Sequence, residues 1–260
     1  MIRGIYTSAL GMMTNMQRMD VVTQNMANVN TNGYKRDHVV SHEFSDVLMA
    51  RINDPGQHAI LRMFNLDQNI GYLNPGVFID DVFTAFTPGP LEQTGNTLDL
   101  ALSGQGFFVV NYNGEELYTR DGAFTIGNGY LLMPNGARVQ GQNGDIQIPQ
   151  GYIVIDENGR ITVNDEYVDT LRLTNFTSDG LHSLSKMEDN LYRAVERTAG
   201  TELPFDGIVA QGFLEGSNVN IVQEMVQMIT VTRSYETNAK ILTVQDQTLQ
   251  RAVNDIARRQ

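Results

Sequence analysis

From Ser217 to Gln260 the chain contains neither glycine nor proline. Nothing in that stretch interrupts a helix, and apolar side chains recur every three or four residues. Met228, Tyr235, Leu242, Leu249 and Ile256 form one unbroken heptad line. A second line alternates Met225, Ala239 and Val253 with Thr232 and Asp246. Some 40 helical residues extend ~60 Å at 1.5 Å each. That is several times the usual globular helix and is the length of a coiled coil or bundle. Ser217 or Asn218 is positioned to cap its start, and Arg258 and Arg259 to complement its negative end.

The first thirty residues repeat the pattern. Ile2, Ile5, Ala9, Met12, Met16, Met19, Val22, Met26 and Val29 follow steps of three and four. The opposite face is Thr, Asn, Gln and Ser instead of Lys and Glu, so it lacks the charge pairs that solubilise an exposed helix. Pairing between the two helices of one chain is one way to cover these faces. The seam is rich in Met, Ala and Gly, however, and such seams are weak in isolation. Association with further copies is the other way. The 260 residues carry a net charge of −12. Residues 1–40 carry +2 and residues 217–260 carry +1, which leaves −15 on the middle. Near-neutral ends repel their own kind little, and an acidic body is a poor partner for nucleic acid or anionic lipid.

Between the ends the pattern changes. Asn113-Gly114, Asp121-Gly122, Asn128-Gly129, Asn135-Gly136, Asn143-Gly144 and Asn158-Gly159 punctuate short β-prone runs at 107–110, 116–119, 123–126, 130–133, 137–140, 152–155 and 160–163. Such turns join hairpins in series. They predict an antiparallel meander, closed or curled like a barrel, completed by 171–176 and 191–196. The fold class is therefore α+β, with helical ends around an all-β centre. The expected domains are a helical assembly domain of 1–38 with 217–260, an extended connector of 39–76 with 200–216, and a β-rich domain of 77–199. The connector is broken at Asp54-Pro55-Gly56 and Asn74-Pro75-Gly76, and its return path is expected to run beside the outgoing one.

The sequence gives no catalytic constellation. With no cysteine, disulfides, thiolate chemistry and cysteine zinc sites are excluded. His38 and His42 could share a metal only on a helix and only with a third ligand. Ser103-Gly104-Gln105-Gly106 lacks the third glycine and following helix of a dinucleotide loop, and reads as a turn into a strand. Asp80-Asp81 and Asp156-Glu157 lack calcium-loop spacing. No cofactor, metal, nucleic acid or small-molecule substrate is expected. No run of about 18 apolar residues could span a bilayer, and the N-terminus is a poor match to a cleaved signal peptide.

One stretch, Asn25–Arg36, reads NMANVNTNGYKR. Its Asn25, Ala27, Asn28, Thr31, Gly33, Tyr34 and Lys35 resemble the motif that ends the N-terminal helix of bacterial flagellar axial proteins, the rod and hook family. Gly89–Asn96, Leu98–Ala101, Gly104–Phe108, Tyr118–Phe124, Glu215–Asn220 and Arg233–Lys240 are similar to further stretches of that family, so the resemblance covers nearly the whole chain. Length and the Glu215–Asn220 stretch are most similar to the distal rod, with the proximal rod and the hook as alternatives. The resemblance implies a non-enzymatic structural subunit whose terminal helices pack in coiled-coil layers around a channel. Such a tube transmits torque and conducts later subunits. Implied partners are further copies in a helical polymer, other rod and hook proteins, the surrounding rings and the flagellar export apparatus. Implied localisation is the basal body, reached by type III export without a cleaved signal.

The expected self-assembly surface takes Ile5, Ala9, Met12, Met16, Met19, Asn25, Met26, Asn28, Asn32 and Gly33 from the first helix. From the last it takes Asn218, Asn220, Met228, Tyr235, Asn238, Leu242, Leu249 and Ile256. Gly33 is expected to stop the first helix at positive φ, with Lys35 and Arg36 at its negative end. A competing reading is a secreted β-domain that binds a ligand or carbohydrate and uses its helices to trimerise.

Overall fold

The computed structural model describes residues 2–51, 68–194 and 202–257. Two helices bracket a β-rich centre: α1 (Ile2–Ala27) and α3 (Ile221–Ala257). A short α2 (Ser178–His182) lies within the β region, capped by Thr177. The chain forms two compact units. One is helical, made of Met1–Thr23, Val39–Val82 and Met225–Gln260; the other is the β unit, made of Gln24–His38 and Phe83–Glu224.

In the β unit, the Asn-Gly turns act as expected at five positions. Asn113-Gly114 joins β7 (Phe107–Tyr112) to β8 (Glu115–Thr119). Asn128-Gly129 and Asn135-Gly136 join β9 (Thr125–Gly127), β10 (Tyr130–Leu132) and β11 (Arg138–Gly141). Asn143-Gly144 leads into β12 (Gly144–Asp145), and Asn158-Gly159 joins β13 (Ile153–Ile155) to β14 (Arg160–Val163). Asp121-Gly122 does not close a hairpin; the chain bends there, and Leu100 N donates to Gly122 O at 3.1 Å. Sequence reading missed β15 (Glu166–Thr170), which pairs with β14 through Asn164-Asp165. That turn holds two left-handed residues, φ 51° and 66°, without glycine.

The expected closed or barrel-like meander is not what forms. The main sheet is open, in the order β17 (Leu184–Lys186), β18 (Leu191–Ala194), β8, β7, β11, β10, β9. Its shape follows from a fork at β7. The first half of that strand pairs with β16 (Leu173–Phe176) through Phe108, while the second half pairs with β11 through Val110. Strands β13, β14 and β15 make a separate three-stranded sheet. Both faces of β7 are buried, as alternation in a doubly covered strand requires. Phe108 and Val110 join a core with Leu117, Phe124, Leu131, Val139, Ile153 and Ile161. Phe107 and Val109 face Tyr118, Phe176 and Tyr192. The returning chain pairs with segments that were expected in the β-rich domain: Ile208–Gln211 with β6 (Leu100–Ser103), and Phe213–Glu215 with β5 (Leu91–Gln93).

In the helical unit, β2 (Val47–Arg51) pairs antiparallel with β3 (Gln68–Leu73). Strand β1 (Asp37–Glu43) pairs with β4 (Val77–Thr84). The described part of the outgoing connector is mostly strand, and the Asp54-Pro55-Gly56 break lies outside the described residues. This ribbon is held to α1 by Thr14 Oγ1 donating to Val77 O (3.0 Å) and Arg18 donating to Ser41 Oγ (2.7 Å). Helix α3 starts later than expected. Asn220 caps it, its Oδ1 accepting from Val222 N (3.0 Å) and Gln223 N (3.2 Å). Asn218 is unavailable for that role, because its amide donates to Ala85 O at 2.8 Å and accepts from Arg36 N at 2.8 Å. Arg258 and Arg259 lie outside the described residues.

Candidate functional site

Apart from Arg233–Lys240 on α3, the family-like stretches, scattered over nearly 200 residues, all lie within the β unit. Helix α1 ends at Ala27, and Asn28–Tyr34 continue as linked turns. The first helix therefore stops six residues before Gly33, because Gly33 has a different task. Its φ is +67°, and its N–H donates to Glu215 O at 2.7 Å. A methyl there would stand 2.5 Å from Asp121 N. Only glycine meets both demands, the left-handed backbone and the close approach.

Lys35 and Arg36 do not serve the helix dipole. Lys35 is fully buried and donates to Glu215 Oε1 at 2.6 Å and to Thr87 O at 2.8 Å. The same carboxylate accepts from Arg120 Nη1 at 3.1 Å and from Gly89 N at 2.8 Å. Arg120 also donates to Gly104 O at 2.7 Å and lies 5.6 Å from the Phe107 ring centroid. Two cations thus share one carboxylate in the interior. Burial pushes both the Lys35 ammonium and the Arg120 guanidinium below their ordinary pKa values, against the pull of Glu215. Removing the shared anion would leave two uncompensated buried cations, a loss of about 3–5 kcal/mol.

Polar side chains bond to the backbone and carboxylates around this ion cluster. Asn25, 2 % exposed, accepts from Asp37 N and donates to Asp37 O, both at 2.9 Å. Lys186 donates to Asp37 Oδ2 (2.9 Å) and Lys35 O (3.0 Å), with its ammonium 3.8 Å from the Tyr34 ring centroid. Burial, reinforced by Asp37, raises the Tyr34 phenol above its ordinary value. Asn28 bonds within its own turn, to Gln24 O and Thr31 Oγ1, and Asn32 O accepts from Asn190. This joint fixes the last turn of α1 and the first turn of α3 against the β unit. It has the chemistry of a scaffold.

The helical unit is built differently. A methyl on Gly4 would stand 2.2 Å from Gln245 Nε2, and one on Gly11 2.8 Å from Asn238 Nδ2. Both glycines and both amides are one heptad apart, so α1 and α3 meet antiparallel through a glycine–amide seam. Gln245 Oε1 is buried there without a hydrogen-bond partner. An open groove of about 610 Å³ runs along Asn15, Ile229, Thr230, Arg233, Ser234, Thr237 and Asn238. Ile5, Ala9, Met12, Met19 and Met26 of α1, and Met228, Tyr235, Asn238, Leu242 and Leu249 of α3, are half-buried. Met16 is exposed, as is Asn220; Asn218 and Asn32 are half-buried, and the side chain of Ile256 lies outside the described residues. On the other face of α3, Val222, Val226, Ile229, Val244 and Val253 are all more than half exposed.

His38 and His42 lie on β1, so no helix brings them together. His38 stacks on Phe83, and His42 on Phe78. The Gly104–Gly106 turn does lead into strand β7. Sequence reading missed the ion cluster, although Lys35, Arg120 and Glu215 were all inside the family-like stretches. The available signal was the lone Glu215 in the otherwise uncharged Glu215–Asn220 motif.

A chain of two long helices bracketing a β-rich centre, whose scattered motifs build a joint, is a structural protein of the axial type. Three family models agree: residues 5–35 match "Flagella basal body rod protein", 101–163 match "Flagellar hook protein FlgE/F/G D1 domain", and 210–255 match "Flagellar basal body rod FlgEFG protein C-terminal". The chain is 32 % identical to the flagellar basal-body rod protein FlgG of Bacillus subtilis, covering 98 % of this chain and 99 % of that protein. It is 32 % identical to FlgG of Buchnera aphidicola subsp. Baizongia pistaciae over 96 % and 98 % of the two chains. It is 33 % identical to the rod protein FlgF of Caulobacter vibrioides over 93 % of each. The chain belongs to the flagellar basal-body rod protein family and is FlgG-like.

Proposed function

We propose that this chain is a structural, non-enzymatic subunit of the flagellar distal rod that becomes fully ordered by packing its helices among further copies. One observation carries the reading. Among the described residues, Val22 is the single apolar side chain of the helical unit that is buried; Ser8, Thr14 and Asn15 are the buried polar ones. A unit with so little apolar burial cannot offset the entropy of ordering two long helices. Burying the exposed stripe of α3 among copies gains about 1.5–3 kcal/mol per large side chain. A heterologous contact whose rotation does not close makes a helical tube.

In such a tube Ile5, Ala9, Met12, Met16, Met19 and Met26 face Met228, Tyr235, Leu242, Leu249 and Ile256 of neighbouring copies, and amides such as Asn238 set register. Asn25, Asn28, Asn32, Gly33, Asn218 and Asn220 support that surface by fixing the helix ends. Other rod and hook proteins cap the tube, rings surround it, and the flagellar export apparatus delivers subunits through it. The 33 % identity to a FlgF keeps the proximal rod as the second reading.

Circular dichroism combined with sedimentation tests this. The dilute chain is expected to be a monomer with less helix than the 26 and 37 residues of α1 and α3 require, gaining the remainder on concentration into polymers. A stable trimer with full helix content at all concentrations would support the secreted-binder class instead.

A further inference from the structure

Near the start of α3 three side chains, His38, Arg36 and Glu224, are linked in series. The Arg36 guanidinium points two nitrogens at one atom: its Nε and Nη2 lie 3.0 and 2.7 Å from His38 Nε2. Both are donors, so His38 Nε2 must be the unprotonated, accepting nitrogen. The remaining nitrogen, Nη1, lies 3.4 Å from Glu224 Oε1 in the first turn of α3. Glu224 is 1 % exposed, its other oxygen is buried without a partner, and Arg36 is its ion-pair partner among the described residues. The imidazole is held flat against Phe83, with ring centroids 5.4 Å apart.

We propose that His38, Arg36 and Glu224 form an acid-operated latch on the root of the C-terminal helix. While the ring is neutral, it accepts from Arg36 and steadies that guanidinium against Glu224. A protonated ring cannot accept. It places a second cation within 3 Å of Arg36, so the fork leaves and Glu224 is left as a buried charge without its pair.

The surroundings set the direction. Asp37 faces His38 from its own strand and Arg36 from just before it, Glu224 faces it from α3, and the His182 ring of α2 packs edge-on against Phe83. Lys186 faces the cluster through its pair with Asp37. Burial and the Arg36 charge together hold the His38 ring below the ordinary histidine value, outweighing Glu224 and Asp37. A folded-state value below the unfolded one means that the folded chain binds fewer protons. Stability is then complete above pH ~6.5 and is lost as pH falls through the folded value.

The test uses the full chain at monomeric concentration, with backbone amide exchange at Val222–Glu224 and the His38 ring titration both read by NMR. In the wild type, amide protection, corrected for intrinsic exchange, is expected to fall at least tenfold between pH 7.5 and pH 5.0. The His38 ring should titrate below the histidines outside the cluster. His38→Gln keeps a neutral acceptor and is expected to hold protection constant across that range. His182→Gln, which alters only the far neighbour, should retain the wild-type response. Unchanged wild-type protection, a ring titrating at or above the ordinary value, or an equal response in His38→Gln would each overturn the latch. Should His38→Gln fold poorly, the wild-type ring titration and amide exchange still decide, since the latch requires them to share one midpoint.

Discussion

The β unit and the helical unit are made by the same chain with opposite economies of burial. In the β unit, twenty-odd apolar side chains close over both faces of β7, and the buried Lys35 and Arg120 share the Glu215 carboxylate. In the helical unit a buried Val22 stands beside more buried polar side chains than apolar ones, and the α1–α3 seam is glycine against amide. The contrast teaches where the fold is complete. The β unit finishes itself within one molecule, whereas the helical unit has apolar surface left over.

Breaking the β unit requires removing a charge from its interior. Glu215→Ala strands Lys35 and Arg120 and is expected to cost about 3–5 kcal/mol in urea unfolding of the monomer. A loss below about 1 kcal/mol would show that the ion cluster is not shared in the way described. The helical unit should respond the other way round. Val226→Ser with Val244→Ser removes two exposed apolar side chains, so monomer stability is expected to stay within ~0.5 kcal/mol. Polymerisation should weaken by about 1.5–3 kcal/mol per side chain, read as a raised critical concentration. Equal losses in both assays would erase the distinction between the units.

Two smaller effects sharpen the comparison. Gly11→Ala adds up to ~1 kcal/mol of helix propensity to α1, while its methyl must displace the flexible Asn238 amide. The expected result is more helix in the dilute chain with weaker register in the polymer, measured by circular dichroism and by the order of the assembled tube. Asp121, in the β unit, has its carboxyl pushed up chiefly by burial. The folded chain therefore holds that proton longer than the unfolded one. Its contribution is present below the ordinary carboxylate value and lost as pH rises through the folded value. Asp121→Asn keeps an acceptor for Ala123 N–H and should flatten this part of the stability–pH curve, a change visible in thermal melts between pH 4 and pH 7.

The helices were legible because their signal is local: no breaker after Ser217, and apolar steps of three and four. The hairpins were legible wherever glycine marked the left-handed residue. Asn164-Asp165 was missed because two non-glycine residues adopt that conformation. The openness of the sheet was illegible, since the fork at β7 depends on Leu173 and Val139 reaching the same strand from distant positions. For the same reason the joint could be seen only as separate motifs. Lys35 and Glu215 are 180 residues apart, and no local pattern states that they form a buried ion pair. Asn25 shows the limit most sharply: expected on the self-assembly surface of the first helix, it is buried and bonded to Asp37.

Hydrogen exchange resolved along the chain, compared between the dilute monomer and the assembled tube, addresses the central claim directly. The account predicts slow exchange over residues 100–194 in both states, and fast exchange over residues 2–23 and 225–257 in the monomer that becomes slow only in the tube. Slow exchange over both helices in the dilute, isolated chain would contradict it.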